Sequence, residues 1–353
     1  MYHFTMKEPS PKFVLILIIM LVLITGLIGT IIKDHYLNIG GKAIRTNKFL
    51  QKEETIVKPI IERVKNLNKD SDNDGDPDST DCAPLNPNKL SPRDNLIIDR
   101  NIELCPGKYY LTDQGMRGIF IFDRVNFVSL NCNNAEIIGD QKGIGVMMDY
   151  TSNSVIENCN IRGFYRNLGG KNSFFNSIIN NEFSYSISDI FLVGFSHNFI
   201  SNNKIHDSQY HGIHFHANTD LSPPYNFVVF NTITNNEFYN IKNFALHLND
   251  TRNNVISNNF IHDNYGGIES TASDNNQILN NSITNNNIGI KLAAPNIPPN
   301  ANNEISYNYI CHNIQDLLCV GNNIGNHGFN YGMEIVVPCS DSWPVEGNDF
   351  DLC

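Results

Sequence analysis

The chain has 353 residues, 41% of them hydrophobic, and a formal net charge of −11. That apolar content suffices for one large domain with accessory segments, and the acidic balance argues against nucleic acid or any other anionic partner held by bulk charge. Eight cysteines without a CxxC pattern fit a disulfide-permissive compartment better than a zinc site.

Residues 1–12 read as a short cytoplasmic N-terminus carrying Lys7 and Lys12. Residues 13–32, Phe13 to Ile32, are apolar almost without interruption, and such a run makes a helix about 30 Å long, the thickness of a bilayer core. The run is longer than a typical signal-peptide core and no A-x-A-like site follows, so it reads as a transmembrane signal anchor, with a cleaved signal peptide as the alternative. Lys33, Lys42, Arg45 and Lys48 on the far side leave the positive-inside count undecided. The cysteines and the acidic loop described next put the C-terminal body outside the cytoplasm, at a cell surface or in a periplasm. Within residues 33–69, Phe49, Leu50, Ile56, Val57, Ile60, Ile61 and Val64 are spaced as on an amphipathic helix broken at Pro59. This is a stalk or a solvated linker.

Residues 70–92 form an acidic linker. Counted from Asp70, the carboxylates of Asp70, Asp72, Asp74, Asp78 and Asp81 fall at positions 1, 3, 5, 9 and 12, with Gly75 at 6 and Asp76 offering a backbone carbonyl at 7. Hard oxygen ligands in that alternation around a turn glycine suit Ca²⁺. The twelfth position is Asp rather than Glu, with a shorter bidentate reach. The continuation Asp81-Cys82-Ala83-Pro84-Leu85-Asn86-Pro87 resembles thrombospondin type 3 repeats and related calcium-binding linkers. Asp70, Asp72, Asp74, Asp76, Asp78 and Asp81 are therefore the expected metal ligands, ordering around one Ca²⁺, with a Cys82–Cys105 bridge bracing the linker against the first coil.

From about Asn153 to Ile310 one phrase returns, Asn-x-Ile-x-Asn-Asn-x-Ile, as in Asn198-Phe-Ile200-Ser-Asn202-Asn203-Lys-Ile205. The second residue of its Asn pair stands at Asn181, Asn203, Asn236, Asn259, Asn281 and Asn308, at intervals of 22, 33, 23, 22 and 27. A unit of about 22 residues remains once two insertions are removed, and a fixed period dictates the architecture. A leucine-rich repeat would need a helical return. Here apolar and polar residues alternate and the returns are rich in Asn and Gly, which suit tight turns and not helices. Each unit reads as short strands joined by sharp turns, and stacking at about 4.8 Å buries the common apolar face. In register, equivalent Asn side chains can hydrogen-bond along the stack while their backbones tolerate the left-handed turn.

The phrase resembles the right-handed parallel β-helix family of pectate-lyase-like and NosD-like proteins, over roughly Ile97 to Tyr331. The expected fold is all-β, a right-handed single-stranded parallel β-helix over residues 93–331 with a C-terminal cap at 332–353. Leu104-Cys-Pro-Gly-Lys-Tyr-Tyr-Leu111 resembles the opening of NosD-like β-helices. Cys132 and Cys159 follow matching frames on adjacent coils, which leaves open a disulfide or a pair of stacked free thiols. Cys311, Cys319, Cys339 and Cys353 complete the disulfide candidates, with Cys339 and Cys353 placed to tie the cap.

Within Gly212-Ile213-His214-Phe215-His216 the apolar residues match the inward phrase, so His214 and His216 point outward. Aligning coils puts Phe191, His214, His247, Glu269 and Lys291 in one row, with His206, His211, His216, Asn249 and His262 at neighbouring positions. The insertions Ala217 to Phe227 and Ala293 to Asn302 leave the stack just after this strand, as two lips. A sugar polymer fits between them. His247 can take a proton, Glu269 can orient it, and Lys291 can meet a uronate carboxylate. Polar rows are equally an ordinary feature of β-helix surfaces, and neither the paired Asp residues of polygalacturonases nor a clustered calcium site beside the row is present. The sequence thus points first to a membrane-anchored extracytoplasmic protein that binds polysaccharide. The alternatives are a polysaccharide lyase, hydrolase or epimerase on the same groove, and a structural or copper-handling protein, since six nearby histidines leave copper open beside Ca²⁺.

Overall fold

A computed structural model describes residues 69–330, apart from 114, 116, 219–227, 295–299, 322, 325 and 327–329. The expected anchor, nearly all of the stalk and the C-terminal cap lie outside the described residues, as do Cys339 and Cys353. Among the described residues no helix is long and apolar enough to cross a membrane.

Each coil contributes three short strands, as in Val255–Ser257, Phe260–His262 and Gly266–Thr271. Successive coils place these in three parallel sheets of ten, nine and ten strands among the described residues. The result is a right-handed parallel β-helix. Along the first sheet Val155 pairs with Ser177, then Phe199, Thr232, Val255, Gln277 and Glu304. The steps are 22, 22, 33, 23, 22 and 27 residues, so the two insertions bulge between strands without shifting register. The stack starts earlier than expected. Lys89–Leu90, inside the expected linker, already pairs with Ile102–Leu104.

The core is a set of columns. Ile256 is fully buried between Ile233 and Ile278, its partners on the neighbouring coils. The second sheet buries Phe183, Ile205, Phe238, Ile261 and Ile283 in the same way. Burying one such side chain stabilises by roughly 1.5–3 kcal/mol, and each is repeated up the stack.

The paired asparagines divide the work expected of both. The first of each pair, at Asn180, Asn202, Asn235, Asn258 and Asn280, holds the left-handed turn, with φ of 55–57°. The second turns inward. Asn259 Oδ1 accepts from the Asn236 backbone N–H at 3.0 Å, and Asn259 Nδ2 donates to Asn281 Oδ1 at 2.9 Å and to Ile233 O at 3.0 Å. Each amide thus satisfies a buried backbone group of the next coil as well as its own polar atoms. A second ladder, Asn176 to Asn198, Asn231, Asn254, Asn276 and Asn303, runs along another corner.

Cys82 and Cys105 are bonded, as are Cys132 and Cys159, whose Cα atoms are 4.7 Å apart on adjacent coils. The stacked-thiol alternative is therefore excluded. Cys311 and Cys319 are each held in a disulfide as well.

These contacts rank three substitutions. Ile256→Asp buries an unpaired charge and costs several kcal/mol, on the order of a polar burial without a partner. Asn259→Ala removes ladder bonds and costs about 1–2 kcal/mol. Asn258→Gly keeps a residue suited to positive φ and stays near neutral. Urea unfolding of the purified chain checks the order; an Asn258→Gly variant weaker than Asn259→Ala would contradict the division of roles.

Candidate functional site

The third sheet carries the polar row. Its strands Ser188–Val193, Ile213–His216, Phe244–Asn249, Gly266–Thr271 and Ile288–Ala294 point Ile213, Phe215, Leu246, Leu248, Ile268 and Ile290 inward. The alternating residues face out. Register then puts Gly169, Phe191, His214, His247, Glu269 and Lys291 in one line across six coils. His216 and Asn249 form part of a second outward line, joined by a 3.0 Å hydrogen bond from Asn249 Nδ2 to His216 Nδ1.

His211 completes a cluster. Its backbone lies just before the His214 strand, in a third outward line with Arg166 and Phe244, and its side chain is buried. Its ring centroid is 5.0 Å from that of His214 and 4.7 Å from that of His247, and the last two stack at 4.5 Å. One ring nitrogen of each lies within 4.8 Å of the others. His211 Nε2, His214 Nε2 and His247 Nδ1 are buried without a hydrogen-bond partner. Burial disfavours the charged imidazolium, reinforced in His214 and His247 by the neighbouring rings, and pushes the three down to about 4, 3 and 2. All three are neutral at ordinary pH.

The remaining nitrogens have defined surroundings. His211 Nδ1 lies 3.3 Å from the Phe244 carbonyl oxygen, and His247 Nε2 lies 3.6 Å from Glu269 Oε2. The other oxygen of Glu269 meets Lys291 Nζ at 2.7 Å. Two cations thus bracket the imidazoles. Lys291 is neutralised by Glu269, whereas the Arg166 guanidinium lies 3.7 Å from the centre of the Phe191 ring. Burial lowers the Arg166 pKa. Tyr165, Tyr210 and Tyr265, all about half exposed, occupy one corner beside these lines at every second coil.

His206 and His262 do not belong to this cluster. They stand on the second sheet, one turn away, stacked on either side of Tyr239 at 4.6 and 5.5 Å. Each ring nitrogen faces a carboxylate: Asp207 and Glu182 for His206, Asp263 and Glu237 for His262. Most of the two expected lips, 219–227 and 295–299, lies outside the described residues. Arg166, Phe244 and the three tyrosines were missed by the sequence reading; extending the coil alignment back from His211 to Arg166 would have found the cation.

The acidic loop is a separate candidate cation site. Gly75 turns at φ +96° and donates its N–H to Asp70 Oδ2 at 3.0 Å. Asp70, Asp72 and Asp74 bring a carboxylate oxygen each within 4.8 Å of one another. Asp70 Oδ1, Asp72 Oδ2, Asp74 Oδ2 and Asp81 Oδ2 are buried and unpartnered. Burial, with added repulsion from Asp81, raises the pKa of Asp72 and of Asp74. Three crowded carboxylates with Asp81 close by fit a hard cation. One expected carboxylate ligand is committed elsewhere, Asp78 to Ser71 and Lys69; the Asp76 carboxylate meets Arg93 at 2.7 Å and the Ser91 N–H, and Asp76 is expected to offer its backbone carbonyl instead.

A family model described as "Right handed beta helix region" matches residues 117–249 and 170–350. The chain belongs to the right-handed β-helix family. A comparison with curated proteins gives no match. Among solved structures, the periplasmic alginate epimerase AlgG is similar at 16% identity and a TM-score of 0.40, over 65% of this chain and 62% of that one. The A-module of a mannuronan C-5 epimerase from Azotobacter vinelandii is similar at 14% identity and 0.41, over 70% and 87%. DFA-IIIase from Arthrobacter chlorophenolicus A6, in complex with GF2, is similar at 12% and 0.47, over 84% and 94%. The chain thus spans about 62% of the alginate epimerase's length. These similarities concern the coil architecture alone.

The imidazole cluster has a pH signature. In the unfolded chain the three histidines take up protons near pH 6.5, whereas in the fold they do so only near 4, 3 and 2. Their contribution to stability is therefore present above pH 6.5 and is lost as pH falls below it. Asp189 acts in the opposite sense, since burial raises its folded pKa from 3.8 to about 7 and favours the protonated fold as pH falls. Comparing the chain with His247→Gln removes the Asp189 contribution from the difference. Melting temperature should fall more steeply from pH 7 to pH 5 in the unaltered chain; parallel curves would contradict buried neutral imidazoles.

Proposed function

We propose that the chain is an extracytoplasmic enzyme acting on an acidic polysaccharide laid across the coils of the third sheet. The observation that carries this reading is the row itself. Uncharged imidazoles, His211 buried and His214 and His247 partly so, share a continuous face with the Arg166 cation, and exposed tyrosines rim that face. A sugar polymer presents apolar ring faces, hydroxyls and, when acidic, carboxylates at regular intervals. Tyr165, Tyr210 and Tyr265 suit the ring faces. Arg166 suits a carboxylate through a planar, two-pronged contact, whereas Lys291 is already held by Glu269. The imidazole cluster, between the two cations, is the reacting centre. The disulfides among the described cysteines support a location outside the cytoplasm.

Binding without turnover is the second reading, favoured by the 2.7 Å Glu269–Lys291 pair, which leaves Lys291 already neutralised. Incubation of the purified chain with acidic and neutral polysaccharides separates the two. Turnover is expected as unsaturated-uronate release, reducing-end release or inversion at a sugar carbon, confined to acidic chains. Arg166→Ala and His247→Gln should each lower it at least tenfold, about 1.4 kcal/mol, with His262→Gln on the second sheet as the unaffected control. Acidic glycans left unaltered but bound would favour the second reading. Equal behaviour of all three variants would remove the site.

We also infer that the loop at Asp70, Asp72, Asp74 and Asp81 takes Ca²⁺, in keeping with its likeness to thrombospondin type 3 repeats. A cation bound only by the folded loop stabilises it by mass action. Calcium should protect the segment around residues 69–92 from proteolysis, and Asp74→Asn should abolish the protection. Cleavage at the same rate with calcium and with chelator would rule the site out.

A further inference from the structure

We propose that His211, His214 and His247 form a binding site for a first-row transition-metal ion of the Zn²⁺ type. The inference goes beyond the polysaccharide reading and holds whether or not a glycan binds. Its basis is geometric. Three imidazole nitrogens, His211 Nε2, His214 Nε2 and His247 Nδ1, are buried and without any hydrogen-bond partner. One nitrogen of each ring lies within 4.8 Å of the others, a spread that side-chain rotation can close onto one ion. An orphaned buried nitrogen is costly, and three of them within one cluster are hard to explain as packing. Nitrogen donors without carboxylates select a borderline metal over Ca²⁺ or Mg²⁺.

At His211 and His247 the surroundings favour the tautomer that a metal needs. A ligating histidine usually gives its second nitrogen to a carbonyl or carboxylate, which orients the ring. His211 Nδ1 faces the Phe244 carbonyl oxygen at 3.3 Å, which leaves Nε2 for the ion. His247 Nε2 faces Glu269 at 3.6 Å, which leaves Nδ1, and Glu269 is itself held by Lys291 at 2.7 Å. His216, the next outward residue on the His214 strand, has its Nδ1 taken by Asn249. Three histidines with an open position are the pattern of catalytic rather than structural zinc sites.

The test uses the full chain, stripped with chelator and titrated with Zn²⁺, then with Cu²⁺ and Co²⁺. Calorimetry and elemental analysis should give one ion per chain at this site. His214→Gln and His247→Gln should each weaken binding by at least tenfold, and Glu269→Gln, acting through His247, should weaken it by about 10–100-fold. Asp74→Asn, in the acidic loop, and His262→Gln, on the second sheet, should leave Zn²⁺ affinity unchanged. Thermal melts confirm that each variant is folded. Failure to bind any of the three ions would overturn the proposal, as would binding that survives both His214→Gln and His247→Gln or that is lost with Asp74→Asn. None of these readouts depends on a glycan, so the metal site and the polysaccharide reading can fail separately.

Discussion

The hydrogen-bonded pairing of each strand with its equivalent one coil away is the constraint on which everything else in this molecule depends. It fixes the rise at about 4.8 Å and forces residues a whole repeat apart into contact. A slip of one residue would turn every inward Ile outward. The buried asparagines guard against that slip, because each amide bonds both the backbone and the side chain of its equivalents and can do so only in register. The backbone cost falls on their neighbours. Asn258 and its equivalents accept the left-handed conformation, so that Asn259 and its equivalents can face the core.

Stacking creates the site by the same rule that builds the core. Whatever the outward residues are, they meet their equivalents at close range. Elsewhere some coils resolve this with opposite charges, as where Arg162 meets Glu136, or with Arg252 against Asp274. The row at His214 and His247 does something different. Two imidazoles are stacked and a third is folded against them from beside the strand, so protonation of any one is opposed by burial and, for His214 and His247, by the others. Such an arrangement is poor as stability, and the fold itself carries no particular activity, so any function has to be read from such outward residues.

Much of this was legible in the sequence, for a physical reason: a repeat states its own register. The Asn intervals gave the strand pairing, and alternation gave the row from Phe191 to Lys291, because position within a coil determines angular position on the stack. Legibility stopped where position ceases to determine contact. His206 and His262 share the repeat with the row but sit across a turn on another sheet, where Tyr239 separates them. His211 looked like a mere neighbour, yet its ring folds into the cluster. Asp78 fits the calcium spacing, but Ser71, which no spacing rule anticipates, draws its carboxylate away. Arg166 escaped because the Asn phrase is weakest in the early coils.

The central claim is that coil register, and not a particular set of side-chain contacts, holds the stack and thereby sets out the site. Excision of residues 254–275 tests it most directly, since Asn254 and Asn276 occupy equivalent positions 22 residues apart. Thermal unfolding of that chain should remain cooperative, with strand content in proportion to its length, because the cut removes one whole coil and joins equivalent positions. A deletion one residue shorter should fail to fold or melt far lower. If the two deletions melt alike, register is not what holds this molecule together.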